Sequence, residues 1–257
     1  MQLASWNVNS IKKRLGLVQC LLKKSNLDVL LLQELKCTTD SFPFLEIESM
    51  GYNVRVHGEK SYNGVACISK HAIEDVRTSL IFGDTQARYM ECLVIKNEKA
   101  FRIINVYVPN GGSIDSKNSL YKIKFFDALQ ERVHDAMEYD EPLIVAGDYN
   151  VALYDIDVYS PARLTDSVCF HISMRRKARE LFGLGMRDAF RLLHANERTF
   201  SWWDYRASAW RSNRGMRIDN ILLSPLAVDM LDKAYIETFW RNESEPSDHV
   251  PIFCKLH

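Results

Sequence analysis

From Gln2 to Asn9 the side chains alternate: Leu3, Ser5, Asn7 and Asn9 on one side, Ala4, Trp6 and Val8 on the other. That period of two predicts a strand. Ser10 then stands as a candidate N-cap, and Ile11, Leu15, Val18 and Leu22 recur at helical spacing until Lys23, Lys24 and Asn26 close the helix. The run DVLLLQE is a short buried strand ending in Glu34. GVACIS, RYMECLVIK and AFRIINVYVP read as successive strands, broken by GDTQ and KNEK. Ser116–Met137 reads as a long amphipathic helix with Leu120, Ile123, Phe126, Leu129 and Val133 in one stripe. PLIVAG, RIDNILLS and HVPIFCKL complete the strands. Strands outnumber helices, and hairpin-like runs mix with strand–helix–strand units. The expected fold class is therefore α/β, with two packed sheets and helices outside.

The 257 residues are 47% hydrophobic and 26% charged, an ordinary globular composition. No Pro/Gly/Ser-rich linker or repeat interrupts them, so one domain spanning 1–257 is expected. The six cysteines show no CxxC spacing and sit mostly in apolar runs, which predicts free thiols in a reducing compartment. No apolar run approaches ~18 residues, and the chain enters LASWNVN without a basic-then-apolar leader; a cytoplasmic protein without a membrane partner is expected.

Net charge is zero, but unevenly spread: residues 175–217 hold 11 Lys/Arg against 4 Asp/Glu. Trp202, Trp203, Tyr205 and Trp210 lie among these cations. Such interleaving suits a polyanion whose bases or sugars also offer packing surface.

Placed on this map, Asn7, Glu34, Tyr107, Asp148, Asn150, Asp219 and His249 all fall at strand ends or starts, where α/β folds collect ligands. Asp148 and Asn150, two apart in VAGDYNVAL, are expected to point the same way. Each alone has a bland explanation: a turn for Gly-Asp-Tyr-Asn, a satisfied core amide for Asn7, a surface acid for Glu34 or Asp248, a hydrogen-bonded core histidine for His249. Together they make a coherent set of carboxylates for a divalent cation, amides to orient, and a phenol and an imidazole to meet anionic oxygen.

In order along the chain, SWNVNS, LLQELK, YNGVACIS, NVYVPNGG, VAGDYNVA, GMRIDNIL and SDHVPI run from Ser5 to Ile252. With these motifs the chain resembles the exonuclease III-like abasic-site endonucleases of the endonuclease/exonuclease/phosphatase superfamily. The resemblance implies a four-layer α/β sandwich. It implies that Glu34 binds Mg²⁺, or Mn²⁺ as a substitute, with Asn7, Asp148, Asn150, Asp248 and His249 around the metal. Asp148 is implied to activate water, Asn150 to position it, His249 to donate to a phosphate oxygen, and Tyr107 to reach the phosphate or leaving oxygen. Asp248 is implied to fix the His249 imidazole, and Asp219 to support His249 or a second metal. DNA contacts are implied at Tyr62, Asn110, Arg175, Arg176 and Arg217, with a sugar pocket at Trp202, Met216 and Ile218. Met216, Asn220 and the stretch Asp155–Arg176 depart from the family pattern.

The expected activity is incision of duplex DNA 5′ to abasic sites, with trimming of blocked 3′ ends and 3′→5′ digestion, by a monomer. A phosphodiesterase for lipid or inositol head groups shares the superfamily fold, but the Arg- and Trp-rich 198–217 stretch favours DNA. A non-catalytic nucleic-acid regulator would lack metal or acid/base residues, and none is missing.

Overall fold

The computed structural model describes residues 1–257. One six-stranded sheet contains β1 (Gln2–Asn7), β2 (Val29–Gln33), β3 (Asn53–His57), β4 (Val65–Ser69), β13 (Leu231–Ile236) and β14 (Ile252–Leu256). A second contains β5 (Ala72–Arg77), β6 (Tyr89–Lys96), β7 (Lys99–Tyr107), β8 (Leu143–Asp148), β9 (Arg187–Asp188) and β12 (Asp219–Leu223). A small ribbon pairs β10 (Trp202–Trp203) with β11 (Gly215–Met216). The helices are α1 (Ile11–Ser25), α2 (Phe44–Glu48), α3 (Lys117–Ala136), α4 (Pro161–Leu164), α5 (Ile172–Gly183), α6 (Ala189–Leu193) and α7 (Pro225–Val228).

The strand orders are β13-β14-β1-β2-β4-β3 and β5-β6-β7-β8-β12-β9. Each sheet has one parallel pair, β1/β2 and β7/β8, and antiparallel neighbours otherwise. A parallel pair needs a crossover; α1 and α3 supply them. Leu3, Leu31, Cys67, Cys92, Ile103, Ile144 and Ile252 belong to the core between the sheets. Trp6, Val18, Leu21 and Leu32 form the layer beneath α1, and Phe126, Leu129, Val133 and Val145 the layer beneath α3. The result is the expected four-layer sandwich.

Local expectations are corrected in three places. Ser10 precedes α1 but makes no side-chain cap bond, whereas Ser116 caps α3 by accepting from the Ser119 amide. Leu120 is 55% exposed and stands outside the buried stripe; Lys122 and Phe125 take the inward face with Phe126, Leu129 and Val133. RIDNILLS becomes a strand only from Asp219, because Gly215–Met216 pairs with Trp202–Trp203 instead. All six cysteines are free, and only Cys20 is not buried.

Candidate active site

The four strands of the two parallel pairs each deliver a polar side chain at the carboxyl end. Asn7 ends β1, Glu34 follows β2, Tyr107 ends β7 and Asp148 ends β8. Register aligns Tyr107 with Asp148 and Asp148 with Asp219, so three functional groups stand side by side on β7, β8 and β12. Gly147 makes the alignment possible: its φ is +145°, and a Cβ there would lie 1.9 Å from the Val106 carbonyl oxygen. Glu34 (φ +57°) and Asn150 (φ +50°) both sit in the left-handed region, which asparagine visits readily and glutamate rarely.

Asn7 bridges the sheets. Its Nδ2 donates to Glu34 Oε2 at 3.0 Å and to Asp148 Oδ2 at 2.9 Å. Asp148 also accepts from the Asn150 backbone N–H (2.8 Å) and from Asn150 Nδ2 (3.2 Å), so the pair predicted to share a side does meet. Burial pushes the Asp148 carboxyl up to about 7; His249 opposes the shift and Asp219 adds to it.

His249 is 4% exposed. Its Nδ1 lies 2.9 Å from Asp219 Oδ2, and its Nε2 lies 3.7 Å from Asp148 Oδ2. Burial alone would lower the imidazole, but Asp219 and then Asp148 outweigh it and raise it to about 10. Ser201 Oγ donates to Asp219 Oδ2 at 2.6 Å, steadying the acceptor. Tyr107 is driven well above its usual range by burial, then by Glu34 and Asp148, so its phenol stays protonated. The Arg88 guanidinium stacks 4.7 Å from its ring centre.

Asp148, Asp219 and His249 present atoms within 4.8 Å of one another, close enough to hold a cation. The same three side chains are also linked as an acid/base group, through the contacts of His249 with Asp219 and Asp148. Glu34 could add a further oxygen for a cation beside it: Glu34 and Asp148 converge on one amide nitrogen, and the Lys36 ammonium lies 2.8 Å from Glu34 Oε1. Such anionic oxygens suit Mg²⁺ or Mn²⁺. Asn7 itself turns its nitrogen to the carboxylates, while its oxygen accepts from the Asn9 backbone, so it joins them instead of adding an oxygen.

Residues 4–249 match the Endonuclease/Exonuclease/phosphatase family. The chain belongs to that family. It is 30% identical to exodeoxyribonuclease III of Haemophilus influenzae over 267 aligned residues covering 100% of both chains. Its fold matches a 3′-5′ exonuclease from Neisseria meningitidis with TM-score 0.96 and 35% identity, over 100% of this chain and 99% of the other. An AP endonuclease from Archaeoglobus fulgidus matches with TM-score 0.94 and 34% identity over the same shares.

In this family member several implied roles fall elsewhere. Asp248 does not hold the imidazole: it accepts from Trp202 Nε1 (3.0 Å) and Asn9 Nδ2 (2.8 Å). Arg217 is 1% exposed, bound to Asp157 (2.8 Å) and Asp188 (2.7 Å), and so is closed to DNA. Arg175 is spent on Asp155 (2.7 Å) and the Leu153 carbonyl and stacks on Phe170; its neighbour Arg176 is exposed. Trp202 and Met216 line a cavity of about 500 Å³ with Leu164, Ser167 and Arg214. Ile218 is 3% exposed and packs behind that wall. Tyr62 is 69% exposed, and Asn110, also exposed, reaches Asn150 Oδ1 at 3.3 Å.

Sequence reasoning missed Ser201, Lys36 and Asn9. Lys36 donates to Asn9 Oδ1, so Glu34, Lys36, Asn9 and Asp248 form one chain of contacts. Lys36 stands within LLQELK and Asn9 within SWNVNS; both motifs were visible, but nothing in the spacing shows which polar members meet.

Proposed function

We propose that this chain is a Mg²⁺-dependent DNA repair phosphodiesterase, accepting Mn²⁺ as a substitute, that incises duplex DNA 5′ to abasic sites. It also trims blocked 3′ ends and digests 3′→5′. The reading treats residues 1–257 as one catalytic unit acting as a cytoplasmic monomer. The observation that carries it is the convergence of Glu34, Asn7, Asp148 and the Asp219-held His249 at the carboxyl ends of the parallel strands. The relatives named for DNA cleavage support the substrate class.

The chemistry follows from the groups. Water attacks phosphorus, the P–O3′ bond breaks, and the products are a 3′-hydroxyl and a 5′-deoxyribose phosphate. Asp148, raised toward neutrality and held by Asn7 and Asn150, takes the proton from the attacking water. The His249 imidazolium presents Nε2–H to a non-bridging phosphate oxygen, with Nδ1 anchored to Asp219. The protonated Tyr107 donates to the phosphate or the departing O3′. Glu34, with Asp148 beside it, would hold a divalent cation, which would supply charge neutralisation as the phosphate is attacked and the alkoxide leaves.

The Trp202–Met216 cavity gives a physical route to selectivity. An abasic site has no base edge to read, so recognition rests on size: a flipped sugar enters, whereas a whole nucleotide is larger and costs more to unstack. The test is an end-labelled duplex carrying one abasic analogue, with Mg²⁺ or chelator. A single cut 5′ to the lesion with a 3′-hydroxyl end supports incision. A ladder from the 3′ end alone would assign exonuclease action in its place, and an intact duplex would overturn the nuclease reading.

A further inference from the structure

Lys122 projects from α3 into the protein interior and is 0% exposed. A buried ammonium is expensive and is normally matched by a carboxylate. None contacts Lys122. Its Nζ donates instead to two backbone carbonyls, those of Asn150 at 2.7 Å and Asn110 at 3.1 Å. These belong to the two loops that follow the parallel strands β8 and β7. Gly111, at φ +91°, lets the loop pass directly over the lysine stem: a Cβ there would lie 3.0 Å from Lys122 Cδ.

The same two loops carry the amides at the site. Asn110 Nδ2 reaches Asn150 Oδ1. Asn150 is the left-handed residue whose backbone N–H and Nδ2 both hold Asp148, while Nδ2 also reaches the Val108 carbonyl at 2.9 Å. Lys122 grips the carbonyl of that very residue from below.

We infer that Lys122 is a positioning residue: it locks the Asn150 backbone, and through Asn150 the orientation of the Asp148 carboxylate. The inference rests on the reading of Asp148 as the proton acceptor. It accounts for a lysine on the apolar face of α3, where Phe125, Phe126 and Leu129 are also buried. The lysine touches neither substrate nor reacting atoms; it acts through the loop.

The test is a double-mutant cycle on the full-length enzyme. Lys122→Met keeps the apolar stem and removes the donor. It should lower single-turnover cleavage by roughly 10²-fold, the scale of a small misplacement of a reacting group. DNA affinity should stay within about threefold of the parent. In an Asn150→Ala background, which loses the Nδ2 contacts and keeps only the backbone N–H bond to Asp148, Lys122→Met should cost clearly less than it does in the parent. Equal losses in both backgrounds, or a loss confined to DNA affinity, would overturn the inference. Lys122→Leu, which likewise removes the donor, serves if the methionine variant does not fold; wild-type turnover in that variant would overturn it too. A readout free of catalysis separates this inference from the proposed activity: the side-chain amide resonance of Asn150 should shift and broaden in either Lys122 variant without DNA or metal. An unmoved resonance refutes the positioning role whether or not the parent cuts DNA.

Discussion

Nδ1 of His249 lies 2.9 Å from Oδ2 of Asp219, a residue 30 positions earlier in the chain, and not against Asp248, its immediate neighbour. Asp248 turns the other way, toward Asn9 and Trp202. The acid that charges the imidazole comes from β12, brought beside Asp148 by strand register.

That pairing sets a pH dependence. His249 is raised from 6.5 to about 10, chiefly because the Asp219 and Asp148 carboxylates outweigh burial. A raised histidine contributes stability fully present below the unfolded value and lost as pH rises through about 10. Catalysis that needs the imidazolium should fall across the same alkaline limb. Asp219→Asn should bring that limb down by at least about one pH unit, and Asp248→Asn should lower it far less, since Asp248 is the weakest of the charges that raise the imidazole. A pH–rate profile showing the same limb in Asp219→Asn and parent would reject the assignment.

Glu34 is the carboxylate expected to hold the cation. Glu34→Gln should fold as the parent does, since it sits at the site rim, yet raise the Mg²⁺ needed for half-maximal cleavage. At limiting Mg²⁺ it should cut at least ~10²-fold more slowly, because the cation contributes several kcal/mol of charge stabilisation. A Mg²⁺ titration superimposable on that of the parent would remove Glu34 from the metal site.

Under the proposed function Trp202 serves lesion recognition and not the chemical step. Its indole lines the cavity with Met216 and is held by Asp248. Trp202→Ala should lower the ratio of abasic to intact duplex cleavage by about tenfold, the scale of one pocket contact, with Mg²⁺ dependence unchanged. Steady-state rates on matched duplexes decide this, and a preserved ratio in the folded variant would place the pocket elsewhere.

Arg217 should behave as a structural residue despite its basic surroundings. Arg217→Met leaves Asp157 and Asp188 without their central cation. Breaking such a buried pair costs about 3–5 kcal/mol, so melting temperature should drop sharply. The salt slope of DNA binding should not change. A reduced slope with unchanged stability would mean that the guanidinium meets phosphate after all.

The strands that carry the site were legible because each is an apolar run closed by one polar residue: VLLLQ before Glu34, LIVAG before Asp148. Strands β3, β5 and β13 were not, since NVRVH, AIEDVR and LDKAYI mix exposed charge with apolar positions at sheet edges. The polar residues of the site could be gathered from their places at strand ends, but their pairings could not. Asp219 and Asp248 differ in role through register and side-chain direction, which spacing does not record. Composition likewise counts Arg217 and Arg176 alike, although one is buried between two aspartates and the other faces solvent. Lys122 carried a faint signal, a lysine three and four residues before Phe125 and Phe126, which helical spacing places on the buried face.

The central claim is that Asp148 takes the proton from the attacking water while the surrounding groups hold the phosphate. Asp148→Asn preserves its shape and removes its charge. Single-turnover cleavage of an abasic duplex at saturating Mg²⁺, measured beside the dissociation constant of the same duplex, tests the claim most directly. The account predicts a rate loss of about 10²–10⁴-fold with affinity unchanged or tighter, since one negative charge no longer faces the phosphate. An Asp148→Asn protein that cuts at the parent rate, or that loses binding while keeping turnover, would contradict it.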